Sequence, residues 1–288
     1  MNSKRSLICL VVLSCLASAL NGQVIAPVES SISYTTIDYP GAFSTVVRGI
    51  NSAGDIVGTY QTTLGGQSHG FKLSGGQFTS FDYPGAQSTS AAGINDSGLI
   101  VGYEDSNSFT YDGSTFTLVS FPGYYDTIAG GINNAGDIVG TLNLGVRAFE
   151  FSGGQYHIIH IPSTNRYQGG SGINNFGHIT GYRINNGYQG FLDKSGKFRF
   201  FQISNSTVPF GLNDSDIVVG YYSDGATNTG FALLNSKYIS LNFPNSYFTS
   251  ASGINNAGQV VGVYSDGLNA PEHGFITSPI TSADFEKN

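Results

Sequence analysis

The sequence predicts an all-β protein, a six-bladed β-propeller of four-stranded antiparallel blades. Three observations predict it. A ten-residue element, Gly49-Ile50-Asn51-Ser52-Ala53-Gly54-Asp55-Ile56-Val57-Gly58, returns in five further copies that begin at Gly93, Gly131, Gly172, Gly211 and Gly253. The copies are spaced by 44, 38, 41, 39 and 42 residues, a drifting period that suits blades rather than a short-period β-helix. The two ends of the repeat region carry complementary deficits.

Each unit reads as four strands in order. The first runs into Gly-Ile-Asn, as in Thr45 to Asn51. A tight turn follows over Ser52-Ala53-Gly54. Gly54, Gly98, Gly136, Gly177 and Gly258 share one position, and Asp216 replaces glycine in the fifth copy. These residue types tolerate a left-handed backbone, so a positive φ is expected there, with the preceding Asn capping the turn. The second strand is Ile56 to Tyr60. Its consecutive apolar residues imply burial of both faces between neighbouring blades. A variable loop leads to a third strand, His69 to Leu73. Ser74-Gly75-Gly76 turns into a fourth, Gln77 to Tyr83, which Pro84-Gly85 ends.

The ends give the topology. Tyr34 stands 15 residues before Gly49, as Phe78 stands 15 before Gly93, so residues 34–40 form a fourth strand without a blade of its own. His273-Gly274-Phe275-Ile276 is a third strand with no fourth after it. Pairing residues 34–40 onto residues 273–276 closes a circle and answers both deficits. Small residues precede Gly-Ile-Asn in four copies (Ala92, Gly130, Ser171, Ser252), as crowded innermost strands require; Arg48 and Phe210 depart from this.

Composition agrees. The 288 residues include 40 Gly and 20 Phe, with apolar residues at 40%, a content that suits many tight turns around a packed core and excludes a disordered chain. The net charge is -7, without a basic cluster beyond Lys4-Arg5, which disfavours nucleic acid as a partner.

Residues 1–22 read as a signal peptide. A basic start at Lys4-Arg5 precedes an apolar run to Leu16, and cleavage is expected near Ala19 or Gly22. The chain is therefore expected to be secreted, at the cell surface, outside it or in the periplasm. Both cysteines, Cys9 and Cys15, fall in this segment, so the mature chain is expected to hold neither disulfide nor thiol chemistry. No later run is long enough to span a bilayer. One propeller domain is expected over residues 28–280, monomeric, followed by a polar tail over 281–288.

Phe71, Phe109, Phe149, Phe191, Phe231 and Phe275 mark the third strands, in contexts such as His69-Gly70-Phe71 and His273-Gly274-Phe275. With the Gly-Ile-Asn-x-x-Gly-x-Ile-Val-Gly element, this framework resembles the HAF-type extracellular repeat of bacterial secreted proteins, over Tyr34 to Ile276. No copy is a literal His-Ala-Phe. The resemblance implies secretion and a repeat architecture, and implies no reaction or catalytic residue.

Chemistry-bearing motifs are few. The Asn51 to Asp55 and Asn133 to Asp137 loops invite a calcium reading, but the Asp position becomes Leu99, His178, Ile217 and Gln259 elsewhere, so turn chemistry is expected and no metal. His157 and His160 lie three apart and point to opposite faces of a strand. His69 and His273 are equivalent, and each is expected to bond a neighbouring turn. No nucleophile elbow, phosphate loop or dinucleotide fingerprint stands out, so no cofactor and no enzyme activity is expected.

The copies differ most in the loops from fourth to first strands and from second to third strands, which open on one face. Candidate ligand-face residues there are Tyr124, Tyr125 and Asp126, then Arg166 and Tyr167, then Tyr247 and Phe248. Their aromatic and polar side chains suit a carbohydrate or a peptide. The leading expectation is a binding or scaffold module. The alternatives are a propeller hydrolase or lyase acting on extracellular polysaccharide, which would need paired carboxylates or a carboxylate with His near the axis, and a purely structural surface protein.

Overall fold

The computed structural model describes residues 32–105, 107–162 and 167–286. The leader segment and Arg166 lie outside them. Twenty-four strands form six four-stranded antiparallel sheets. The first blade comprises Ser44–Ile50, Ile56–Gln61, His69–Ser74 and Gln77–Phe81. The innermost strands of the other five are Thr89–Ile94, Thr127–Ile132, Gln168–Ile173, Ser206–Leu212 and Phe248–Ile254.

The last blade takes its outer strand from the other end of the chain. Tyr34–Ile37 pairs antiparallel with Glu272–Thr277, in register from Tyr34 opposite Thr277 to Ile37 opposite Gly274. Tyr34 also packs edge-on against Phe243 and Phe275, with ring centroids 5.6 and 5.7 Å away.

Six apolar clusters lie between adjacent blades. Val57 and Phe81 of the first blade meet Ala91, Ile94, Ile100 and Phe109 of the second. Val261 of the sixth meets Val47, Ile56 and Phe71 of the first, so the seam is packed like the other interfaces. The second strands are buried on both faces (Ile56 3% and Val57 0% exposed), because each is sandwiched between two neighbours.

The closing glycine of each repeat has a partner in the third strand. Gly58 lies opposite Phe71, Gly140 opposite Phe149 and Gly262 opposite Phe275. All six repeated Phe rings are fully buried. A Cβ at Gly140 would lie 2.7 Å from the Phe149 ring and 2.1 Å from the Ile128 carbonyl, so only glycine fits. At the turn position, φ is +84° at Gly54, +85° at Gly136 and +58° at Asp216. Asp216 is held in this strained conformation by bonds described below.

The loops from fourth to first strands are tied by threonines. Thr45, Thr89, Thr127, Thr207 and Thr249 hydroxyls accept from the amides of Tyr39, Tyr83, Phe121, Ile203 and Phe243 at 2.9–3.0 Å. His69 and His273 bond the carboxylates of Asp82 and Asp38, each at 3.0 Å, where the third strand of the blade begins and the fourth ends. The segment read as a polar tail docks instead. Ser282–Phe285 forms a 3-10 turn whose Phe285, 2% exposed, joins the cluster between the fifth and sixth blades.

Candidate functional site

The repeated Gly-Ile-Asn builds the axis in three layers. The glycines come first: a Cβ on Gly49 would lie 3.0 Å from Gly93 Cα, and one on Gly131 3.0 Å from Gly172 Cα. No larger residue permits that approach. Ile50, Ile94, Ile132, Ile173, Leu212 and Ile254 form an apolar collar below. The asparagines follow. Asn51 Nδ2 donates to Asn95 O, Asn95 to Asn133, Asn133 to Asn174, Asn174 to Asn213, Asn213 to Asn255 and Asn255 to Asn51, all at 3.1–3.2 Å. Each Asn Oδ1 meanwhile caps its own turn, as Asn133 Oδ1 does by accepting from Ala135 and Asp137.

Asp96 and Asp214, three blades apart, stand beyond this ring at the mouth on the hairpin face. Asn134 and Ser52 donate to Asp96, and Asn175 and Asn256 donate to Asp214. Burial alone would raise the Asp96 carboxyl, but the bonds from Asn134 and Ser52 hold it below the usual range. These carboxylates are engaged in joining blades.

On the opposite, variable-loop face the axis opens into a funnel. Every innermost strand carries a β-bulge at the residue before the Gly-Ile-Asn glycine. A bulged residue has no cross-strand partner and its side chain is re-aimed. Here the six bulged positions, Arg48, Ala92, Gly130, Ser171, Phe210 and Ser252, line one cavity of about 160 Å³. Tyr103, Ile128, Thr141 and Tyr182 complete its wall. Four bulge residues are small and leave the space; Arg48 and Phe210 furnish it.

The funnel continues outward as a groove. Arg48 and Tyr103 also border a space of about 270 Å³ with Ser44, Thr59, Gln61, Ser68, Ser90 and Glu272. Ser44, Gln61 and Glu272 border a third space, of about 350 Å³, that reaches Tyr247, Phe248, Leu64 and Leu268 at the rim. Two buried polar atoms of this groove lack a hydrogen-bond partner, Arg48 Nε and Thr59 Oγ1. Buried polar groups are ordinarily paired, so both are exceptions, in side chains that border the groove. Burial raises the Tyr182 hydroxyl above the usual phenol range, and Tyr188 and Tyr221 add to this, so it stays a protonated donor.

The loop residues singled out from sequence are dispersed. Tyr247 and Phe248 reach the groove rim. Tyr125 and Tyr167 are exposed, Tyr167 with φ +47°, and neither lines the groove. Tyr124 packs edge-on against Phe121 at 4.9 Å. Asp126 is buried, 3% exposed; its Oδ2 accepts from the Leu144 amide at 2.9 Å and its Oδ1 is without a partner. Arg48, Thr59, Ser90, Tyr103 and Tyr182, which border the groove, were not singled out from sequence, because they sit on strands and not in loops. A signal did exist: Arg48 and Phe210 are the large residues at an otherwise small position.

Among the described residues no helix is long and apolar enough to cross a membrane, and no group of three or more His, Cys, Asp or Glu could hold a metal ion. No family model and no curated protein matches the chain. Solved structures similar to it are propellers. The gluconolactonase XC5397 of Xanthomonas campestris aligns with TM-score 0.52 and 9% identity, covering 91% of this chain and 98% of that one. A structure described as a candidate gluconolactonase aligns with TM-score 0.54 and 10% identity over 88% and 94% of the two chains. The propeller domain of the Trilobed protease of Pyrococcus furiosus aligns with TM-score 0.51 and 10% identity over 85% and 82%. The expectation of no enzyme activity is corrected by these neighbours: the fold is one that gluconolactonases share, and missing sequence motifs gave no ground for setting catalysis aside. At these identities the likeness is one of fold.

Proposed function

We propose that the protein binds a carbohydrate in the groove that opens from the axis on the variable-loop face. The observation that supports this most is the groove's chemistry. Ser44, Thr59, Gln61, Ser68 and Ser90 bring hydroxyl and amide groups to one wall system beside Tyr103, and Thr59 Oγ1 is buried there with no protein partner. Hydroxyls and amides both donate and accept, which matches the dual character of sugar hydroxyls. The phenol ring of Tyr103 offers a flat apolar face to a pyranose. Export, which residues 1–22 predict, would bring this groove to extracellular saccharides.

A saccharide array followed by calorimetry on the full chain tests the reading. Saturable binding is expected, weakened roughly tenfold in Thr59→Val, since a buried hydroxyl bond to ligand is lost while a methyl of like size fills its place. The melting temperature should not fall. Binding of no saccharide, or equal binding by the Thr59→Val variant, would remove carbohydrate recognition in this groove.

A further inference from the structure

The inner end of the groove holds an unanswered positive charge. Arg48 Nε is buried without a hydrogen-bond partner, and Arg48 belongs to none of the ion pairs among the described residues. The guanidinium is not part of the repeated scaffold, because the equivalent bulge residues are Ala92, Gly130, Ser171, Phe210 and Ser252. Five blades close around the axis without a charge there. Glu272, which borders the groove farther out, forms no ion pair with it.

From this placement we propose that the groove takes a sugar acid, with its carboxylate seated against Arg48. The sugar body rests on the carbohydrate reading above; the anion rests on Arg48 alone. A guanidinium stays charged at any ordinary pH, and its planar fork matches a carboxylate through two parallel N–H···O bonds. Leaving it half-buried and unpaired is costly, so the charge selects strongly for a ligand that answers it. A monoanion balances one guanidinium. A phosphate dianion would bring a second negative charge into a groove that already contains Glu272. The ring of Phe210 and the hydroxyls of Tyr103 and Tyr182 border the same funnel and suit the pyranose that carries the carboxylate.

The matched probes are a galacturonate trimer and its methyl ester, which share a backbone and differ in charge. The acid is expected to bind at least roughly tenfold more tightly than the ester, with the difference shrinking as salt rises. In Arg48→Ser the preference should vanish while the melting temperature holds, since serine already occupies this position in two other blades at Ser171 and Ser252. Equal binding of acid and ester, or an Arg48→Ser variant that keeps the preference, overturns the proposal. Binding of neither probe tells against the carbohydrate reading, and the anion site is then read separately. The Arg48 Nε–H resonance, assigned by its loss in Arg48→Lys, is titrated with acetate and with inorganic phosphate. A saturable shift with acetate supports a carboxylate site; no shift, or a shift with phosphate alone, overturns it.

Discussion

Asn255 Nδ2 donates to Asn51 O at 3.1 Å across 204 residues of sequence, and this bond completes a circular chain in which each blade holds the next. The same Asn255 accepts from the Gln259 amide at 3.0 Å. One side chain thus caps its own hairpin with oxygen and ties the neighbouring blade with nitrogen, which donates to Gln259 Oε1 as well, at 3.0 Å.

The two jobs can be separated. Asn255→Asp keeps the accepting oxygen and loses the donor. It is expected to destabilise by about 2 kcal/mol, comparable to Asn255→Ala, because an oxygen would then face the Asn51 carbonyl. Urea unfolding measures it. A near-neutral Asn255→Asp would mean that the turn cap alone matters.

The glycine of each Gly-Phe pair is a second test. Gly140→Ala is expected to cost about 3 kcal/mol. Shrinking the ring in a Gly140→Ala, Phe149→Leu double variant should not restore stability, since the Ile128 carbonyl stands 2.1 Å from the added carbon. Recovery in the double variant would place the conflict in the ring instead.

Closure of the circle is testable by removal. A chain starting at residue 38 loses Tyr34–Ile37, and with them the burial of Ile37 and the cover of Phe243 and Phe275. A stability loss of about 3 kcal/mol or more is expected. The bare edge of Glu272–Thr277 should also promote self-association. A synthetic peptide of residues 32–38 should rebind and restore the monomer, as seen by light scattering. A truncated chain as stable as the full one would show the seam strand to be dispensable.

Asp216 sets a pH dependence. Burial alone would raise its carboxyl, but bonds from Lys194 and His178, and their charges, hold it below the usual value. Asn174 donates to it as well, at 3.1 Å. A depressed carboxylate contributes stability that is complete above its unfolded value, about 4, and is lost as pH falls through the folded value. Wild-type stability should therefore decline below about pH 4 more steeply than that of Asp216→Asn. Parallel acid profiles for the two proteins would remove Asp216 from the account.

Much of the fold was legible because each blade restates it. Glycine or aspartate at the turn, phenylalanine in the third strand and the mismatched ends are local signals repeated or complementary along the chain. The asparagine ring was read only in half. A single hairpin accounts for the Oδ1 bonds, whereas the Nδ2 bonds that close the ring run from blade to blade, where one copy says nothing. Phe285 was missed for the opposite reason, as it has no counterpart in any repeat. The site was looked for in loops such as that of Tyr124 to Asp126, where the copies vary in length. The proposed groove opens instead among strands, where the copies vary by one side chain, at Arg48 and Phe210.

The six bulges separate two kinds of heredity in this chain. A residue that owes nothing to its neighbours in the ladder can be exchanged without renegotiating the ring. Positions 48, 92, 171, 210 and 252 thus behave as sockets around one opening, whereas at Gly130 a Cβ would lie 2.8 Å from the Ser171 carbonyl of the next blade. A lineage could change the lining of the funnel one socket at a time, while the glycine, the isoleucine or leucine and the asparagine beside each socket stay fixed.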